Sequence, residues 1–136
     1  MISHSINFQI LSSNHILVNG QINNIEGKFI IDTGASNSCV DIMKSEKFKL
    51  NFEISNETAS SATNTMKETY ISKNNCLNLG SCQINNYDFI LFNMSHVRDL
   101  LIKEEEIDFD GIIGGDILKK TKALVDYELK KILLRY

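Results

Sequence analysis

The sequence predicts an all-β domain, and three features carry that prediction. Short runs rich in Ile, Val, Phe, Tyr and Thr recur along the 136 residues, pairs of Asn and Gly separate them, and proline is absent. β-Branched and aromatic runs suit the pleated, half-buried surface of a strand. Asn and Gly tolerate the left-handed conformations of tight turns.

Taken in order, residues 5–11 and 15–22 read as two strands around a Ser12-Ser13-Asn14 turn. Asn23-Asn24 then precedes a third strand, Ile25-Glu26-Gly27-Lys28-Phe29-Ile30-Ile31, whose end is apolar on both faces and is therefore expected to be covered on both sides. Asp32-Thr33-Gly34-Ala35-Ser36 interrupts it, Cys39-Val40 resumes an extended path, and residues 42–47 suit one helical turn. Residues 57–70 are small, polar and threonine-rich, which predicts an exposed hairpin with its tip at 60–64, a disordered surface loop being the other reading. Residues 70–79 and 84–92 are strands around Gly80-Ser81, and 95–108 is a charged loop or short helix. Ile112-Ile113 is a further buried strand, 116–122 a short helix with Asp116 near its N-cap, and 123–127 with 131–135 a closing hairpin. Gln21-Ile22-Asn23-Asn24 recurs as Gln83-Ile84-Asn85-Asn86, and each copy leads into Phe-Ile, as if one β-unit were used twice.

Residues 1–136 are read as one domain, a length that buries roughly two-thirds of the unfolded surface. At 43% hydrophobic the chain has a core of its own and needs no disulfide or metal staple. Fourteen basic and 17 acidic residues give a net charge of −3, with no basic block to hold nucleic acid or an anionic membrane. Trp is absent and aromatics are 8%, so no base-stacking platform is offered. No apolar stretch of about 18 residues exists to span a bilayer. The N-terminal residues lack a secretory pattern, which makes a cytoplasmic protein the expectation. Cys39, Cys76 and Cys82 are odd in number and irregularly spaced, as ordinary reduced thiols would be, and no metal or cofactor is implied. His4, His15 and His96 are scattered, no Ser stands in a nucleophile-elbow setting, and Glu104-Glu105-Glu106, Lys119-Lys120 and Lys130-Lys131 read as solvated surface.

Two segments carry chemistry. In Phe29-Ile30-Ile31-Asp32-Thr33-Gly34-Ala35-Ser36 an acid follows three apolar residues, where its carboxylate should be desolvated and its pKa raised toward general acid–base use. Gly34 lets backbone come close or take unusual dihedrals, so that its N–H reaches a carboxylate, and Thr33 offers a bracing hydroxyl. A plain turn explains Asp-Thr-Gly equally well when it is taken alone. The second segment is Asp110-Gly111-Ile112-Ile113-Gly114-Gly115-Asp116-Ile117-Leu118: buried strand, glycine, helix start.

Together the two segments resemble the retropepsin-like aspartic proteases, over roughly residues 15–134. Ile30 through Ser36 matches the family's active-site loop, and Ile112-Ile113-Gly114 matches the strand and glycine that thread beside it. The resemblance implies a closed, barrel-like fold with one short C-terminal helix, acting as a C2 homodimer. It implies Asp32 as the catalytic carboxylate and Thr33, Gly34, Ala35 and Ser36 as loop support. Thr33 would brace the two loops across the dimer and Ala35 would line the pocket at the scissile bond. Residues 57–70 would be the flap over an extended peptide substrate, with Ser60, Ser61, Ala62 and Thr63 at a tip that lacks the usual glycine.

Only one Asp-Thr-Gly occurs, and Asp88, Asp108, Asp110, Asp116 and Asp126 lack its setting, Asp110 and Asp116 reading as a turn residue and a helix cap. Two carboxylates sharing a proton are needed for this chemistry, so the second is expected from Asp32 of another copy. The competing class is a non-catalytic relative that keeps the fold for peptide binding or dimerisation. A metal-dependent hydrolase is a third, distinguished by sensitivity to a chelator.

Overall fold

A computed structural model of the chain describes residues 1–55, 68–101 and 107–136. Asparagines make one two-residue reversal: Asn23 and Asn24, at φ 52° and 67°, fold strand β3 (Ile16–Ile22) onto β4 (Ile25–Ile31). The pairing is in register from Ile22↔Ile25 out to Ile16↔Ile31. Before it, the single strand expected over 5–11 is split into β1 (Ser3–Asn7) and β2 (Gln9–Ile10). The reason is a change of partner. β1 pairs with the C-terminal strand β11 (Lys131–Arg135), β2 pairs with β3, and the N–H of Phe8 between them donates to Lys130 O at 3.0 Å.

The remaining elements are β5 (Cys39–Asp41), a 3-10 turn at Ile42–Lys44, β6 (Glu53–Ile54), β7 (Tyr70–Leu79), β8 (Cys82–Phe92), α1 (Ser95–Leu101), β9 (Gly111–Ile113), α2 (Gly115–Lys120) and β10 (Leu124–Asp126). An 8-stranded sheet runs β2-β3-β4-β9-β5-β8-β7-β6, and a further β3–β7 pairing closes its six inner strands into a barrel. A 3-stranded sheet, β1-β11-β10, joins the two ends of the chain. The fold is thus the closed, mostly β architecture expected, with α2 as its C-terminal helix and α1 formed by the first part, Ser95–Leu101, of the charged 95–108 segment. Among the described residues no helix is long and apolar enough to cross a membrane.

β6 pairs antiparallel with the start of β7, Glu53↔Ile71 and Ile54↔Tyr70, so the strands on either side of the expected flap are joined. Ser60, Ser61, Ala62 and Thr63 lie outside the described residues, as do Glu104, Glu105 and Glu106.

Burial follows the alternation of the strands. Phe29 and Ile31 enter the main core with Val40, Phe48, Leu77, Ile84, Phe89 and Ile113. Ile30 points the other way, into a second cluster with Leu17, Cys39, Ile90, Met94, Phe109 and Ile112. Five of these stand side by side across neighbouring strands, Leu17↔Ile30↔Ile112↔Cys39↔Ile90. The apolar-on-both-faces reading of β4 therefore holds, and each such side chain contributes roughly 1.5–3 kcal/mol on burial. The carboxyl end of β4 is fixed from both faces, and the loop that follows starts from a rigid base.

Candidate active site

β9 lies between β4 and β5, parallel to the first (Ile30↔Ile112, Ile31↔Ile113) and antiparallel to the second (Cys39↔Ile112). This arrangement brings Ile112, Ile113 and Gly114 beside the loop 32–38. The Asp32 N–H donates to Ile113 O at 3.0 Å, continuing the ladder by one rung past the strand's end. The chain then reverses, with the Ala35 N–H on Asp32 O at 3.2 Å. Within that turn the Gly34 N–H donates to Asp32 Oδ1 at 2.9 Å. Gly34 reaches the carboxylate by close approach alone, because its φ is not in the left-handed region, where Gly80 is the glycine found.

The carboxylate itself departs from the expectation of burial. Asp32, Thr33, Gly34 and Ser36 are exposed on the single chain, and Ala35 is half-buried. The apolar residues before Asp32 wrap the strand, and the loop carries its head group clear of them. The described residues of the chain therefore leave Asp32 solvated. Thr33 likewise presents an exposed hydroxyl.

Behind the loop the packing is tight. The Gly115 N–H donates to Ala35 O at 2.7 Å, and the Gly114 N–H to Ser38 Oγ at 2.8 Å. A side chain on Gly114 would put its Cβ 2.6 Å from Ala35 O, so only glycine permits α2 to start there. Gly114 is the N-cap of α2 and gives no side-chain cap bond. Asp116 is therefore not the cap that its position in the sequence suggests. Its Oδ1 accepts from both the N–H (2.9 Å) and the Oγ (2.7 Å) of Ser38, and its Oδ2 accepts from the Tyr87 hydroxyl. Three donors from the loop and from β8 thus satisfy the carboxylate.

Cys39, next along the chain, is buried, and its thiol is pushed up to about 12, first by burial and then by the negative charges of Asp116 and Asp32. The Tyr87 hydroxyl is also held above its ordinary range, by burial first and then by Asp116. Ser38 and Tyr87 were not singled out in the sequence. Tyr87 faces inward because the β7–β8 ladder shifts register between Asn75 and Leu77, and Asn86, opposite that shift, has φ 54°. An uninterrupted alternation from buried Ile84 would have turned Tyr87 outward.

The other aspartates are engaged elsewhere. Asp110, expected in a turn, is buried, accepts from the Lys28 N–H at 2.9 Å and pairs with Lys47 Nζ at 3.0 Å. It bonds β4 because the segment leading into β9 runs alongside that strand. Asp108 pairs with Lys44 and Arg98, while Asp88 and Asp126 accept from the backbone of Asn74 and Leu129. A cleft of about 380 Å³ lined by Asn19, Lys28, Lys44, Lys47, Ile107 and Asp110 lies apart from Asp32. His4 and His15 bond serine hydroxyls, and His96 is on exposed α1 surface. Among the described residues no three His, Cys, Asp or Glu side chains gather as metal ligands.

A family model described as aspartyl protease matches residues 18–117. Among solved structures, a retropepsin-like aspartic protease from Rickettsia conorii superposes with a TM-score of 0.69 at 17% identity, over 99% of this chain and 92% of that one. The EIAV protease complexed with the inhibitor HBY-793 gives 0.58 at 17% identity, over 81% and 90%. The retroviral protease-like domain of Ddi1 from Leishmania major gives 0.54 at 19%, over 90% and 82%. The fold is therefore retropepsin-like. A search of curated proteins returned no match.

Proposed function

This chain belongs to the aspartyl protease family, and on that premise we propose that it is an aspartic endopeptidase whose active site forms between two copies. The observation that carries the proposal is the state of Asp32. Its carboxylate is oriented by the Gly34 N–H at 2.9 Å, yet it is exposed, and Asp88, Asp108, Asp110, Asp116 and Asp126 are engaged elsewhere in the chain. A twofold axis past the loop supplies the second Asp32 and shields the pair from bulk solvent at one stroke, leaving room for the attacking water.

With one proton shared, the pair acts as acid and base together. The ionised carboxylate takes a proton from water as the water oxygen bonds to the scissile carbonyl carbon, and the protonated carboxyl gives its proton to the carbonyl oxygen. Collapse of the tetrahedral intermediate breaks the C–N bond: the nitrogen leaves with the proton of the protonated carboxyl, and one hydroxyl of the intermediate returns its proton to the other carboxylate, which restores the shared proton. Thr33 braces the two loops through its exposed hydroxyl, and Ala35 and Ser36 border the substrate. The extended peptide is covered by residues 57–70, with Ser60–Thr63 at the tip, and adds to the flap as a strand. Residues 1–136 serve as a single protease domain, and the three free cysteines fit a reducing, cytoplasmic setting.

The test is cleavage of a mixed peptide library by wild type and by Asp32→Asn, alongside sedimentation. The expected result is chelator-insensitive cleavage by a dimer, abolished in Asp32→Asn. Cleavage that survives in Asp32→Asn, or that belongs to a monomer, overturns it.

A further inference from the structure

We propose that Asp116 is a positioning residue for the Asp32 loop, acting through Ser38 and Tyr87; this rests on the protease reading above. The loop leaves β4 at Asp32 and returns at Ser38, and its two ends are held differently. At the start a single backbone rung, Asp32 N–H to Ile113 O, fixes it to β9. At the return the Asp116 carboxylate gathers the Ser38 N–H and Oγ on one oxygen and the Tyr87 hydroxyl on the other. Ser38 is fully buried and its Oγ also accepts from Gly114 N–H, so backbone and side chain are both committed to this junction.

Three elements meet at that one carboxylate: the loop, α2 and β8. Tyr87 is itself wedged edge-on against Phe89, ring centres 4.6 Å apart, which stops its hydroxyl from swinging away. Among the described residues no lysine or arginine forms an ion pair with Asp116, and its donors are the neutral groups of Ser38 and Tyr87. A residue serving only to cap α2 would turn its carboxylate to its own helix. This one is turned across to the loop. Its effect on the reaction is geometric: it fixes the height of the loop's return, and hence the approach of the two Asp32 groups, where a displacement of about 1 Å costs on the order of 100-fold in rate.

The experiment compares Asp116→Ala, Asp116→Asn and Tyr87→Phe. Asn presents an oxygen to Ser38 and an N–H₂ to the Tyr87 oxygen, so it keeps the geometry without the charge. The expected result is a fall in kcat of about 100-fold for Asp116→Ala, with KM changed far less, and rates within about threefold of wild type for Asp116→Asn. Tyr87→Phe is expected between them. A kcat unchanged in Asp116→Ala well below its melting temperature overturns the proposal, and so does an Asn variant as impaired as Ala. Should wild type cleave nothing, the protease reading fails by itself, and amide exchange at Ser38 and Gly34 decides the clamp. Exchange at least about tenfold faster in Asp116→Ala supports it; unchanged exchange overturns it.

Discussion

Arg98 Nη2 lies 2.8 Å from Asp41 Oδ2, and the Asp41 side chain is only 1% exposed. The same guanidinium pairs with Asp108 Oδ1 at 2.6 Å, donates to Phe109 O at 2.7 Å and stacks over the Phe109 ring. One side chain on α1 therefore joins the end of β5 to the segment that leads into β9. Removing it leaves a carboxylate buried without its cation, which costs about 3–5 kcal/mol. Arg98→Ala is expected to lower the melting temperature by roughly 10 °C or more. Lys73→Ala, which breaks an exposed pair with Glu53, is expected to leave it nearly unchanged. Thermal melts of the two variants check the contrast.

The glycines of 111–115 make a second pair of outcomes. A Cβ on Gly111 would stand 2.4 Å from Cys39 O, a backbone atom that cannot yield without moving β5. Gly115 offers more room, with Ala35 O at 3.4 Å and Thr33 O at 3.6 Å. Gly111→Ala is expected to destabilise by about 3 kcal/mol or more. Gly115→Ala is expected to fold at wild-type stability or slightly above, since alanine favours the helix by about 1 kcal/mol. Denaturant midpoints of the two variants, side by side, test this reading of the thread.

These contrasts also mark how far the sequence could be read. The strand pattern, the two motifs and their meeting were legible because each depends on local alternation and on glycine at close approach. The echo of Gln-Ile-Asn-Asn was legible only in part. Both copies pair with the same residues of β7, Gln21 and Gln83 with Asn78, Ile22 and Ile84 with Leu77. Yet Asn23-Asn24 turns the chain, and Asn85-Asn86 stays inside β8 opposite a register shift. Identical residues part ways because tertiary pairing, not local preference, decides where an asparagine's left-handed backbone is spent. The same register shift hid Tyr87, and the true partners of Asp110 and Asp116 lie 63 and 78 residues away, at Lys47 and Ser38. No local pattern encodes those distances. The exposure of Asp32 was missed for a related reason, since burial of a strand says nothing about the head group one residue past its end.

The exposure of Asp32 yields a kinetic prediction. If each active site takes one carboxylate from either chain, a wild-type subunit paired with Asp32→Asn has one carboxylate and no general acid–base partner. Activity in a mixture should follow the square of the wild-type fraction, falling to about a quarter at equal proportions. A series of mixtures at constant total protein, equilibrated above the dissociation constant, measures it. A linear decline would mean that each chain works alone.

Cys39 supplies the pH dependence. Burial first, then Asp116 and Asp32, push its thiol up to about 12 in the folded chain, against about 8.5 in an unfolded one. Between those values the unfolded state releases a proton that the folded state keeps, so stability falls as pH rises, and below about 7 the thiol contributes almost no slope. Cys82 and Tyr87, whose pKa values are also raised, act in the same direction. Cys39→Ala isolates the share due to this one group. Its cavity is expected to cost about 1 kcal/mol at pH 7, and the loss of stability from pH 7 to pH 10 is expected to be shallower than in wild type. In the native protein at pH 8 a thiol reagent should modify half-buried Cys76 and leave Cys39 untouched until the chain is unfolded. Equilibrium unfolding at the two pH values, with thiol counting in native and denatured protein, checks both; equal slopes in wild type and Cys39→Ala would show that Cys39 is not the group that titrates.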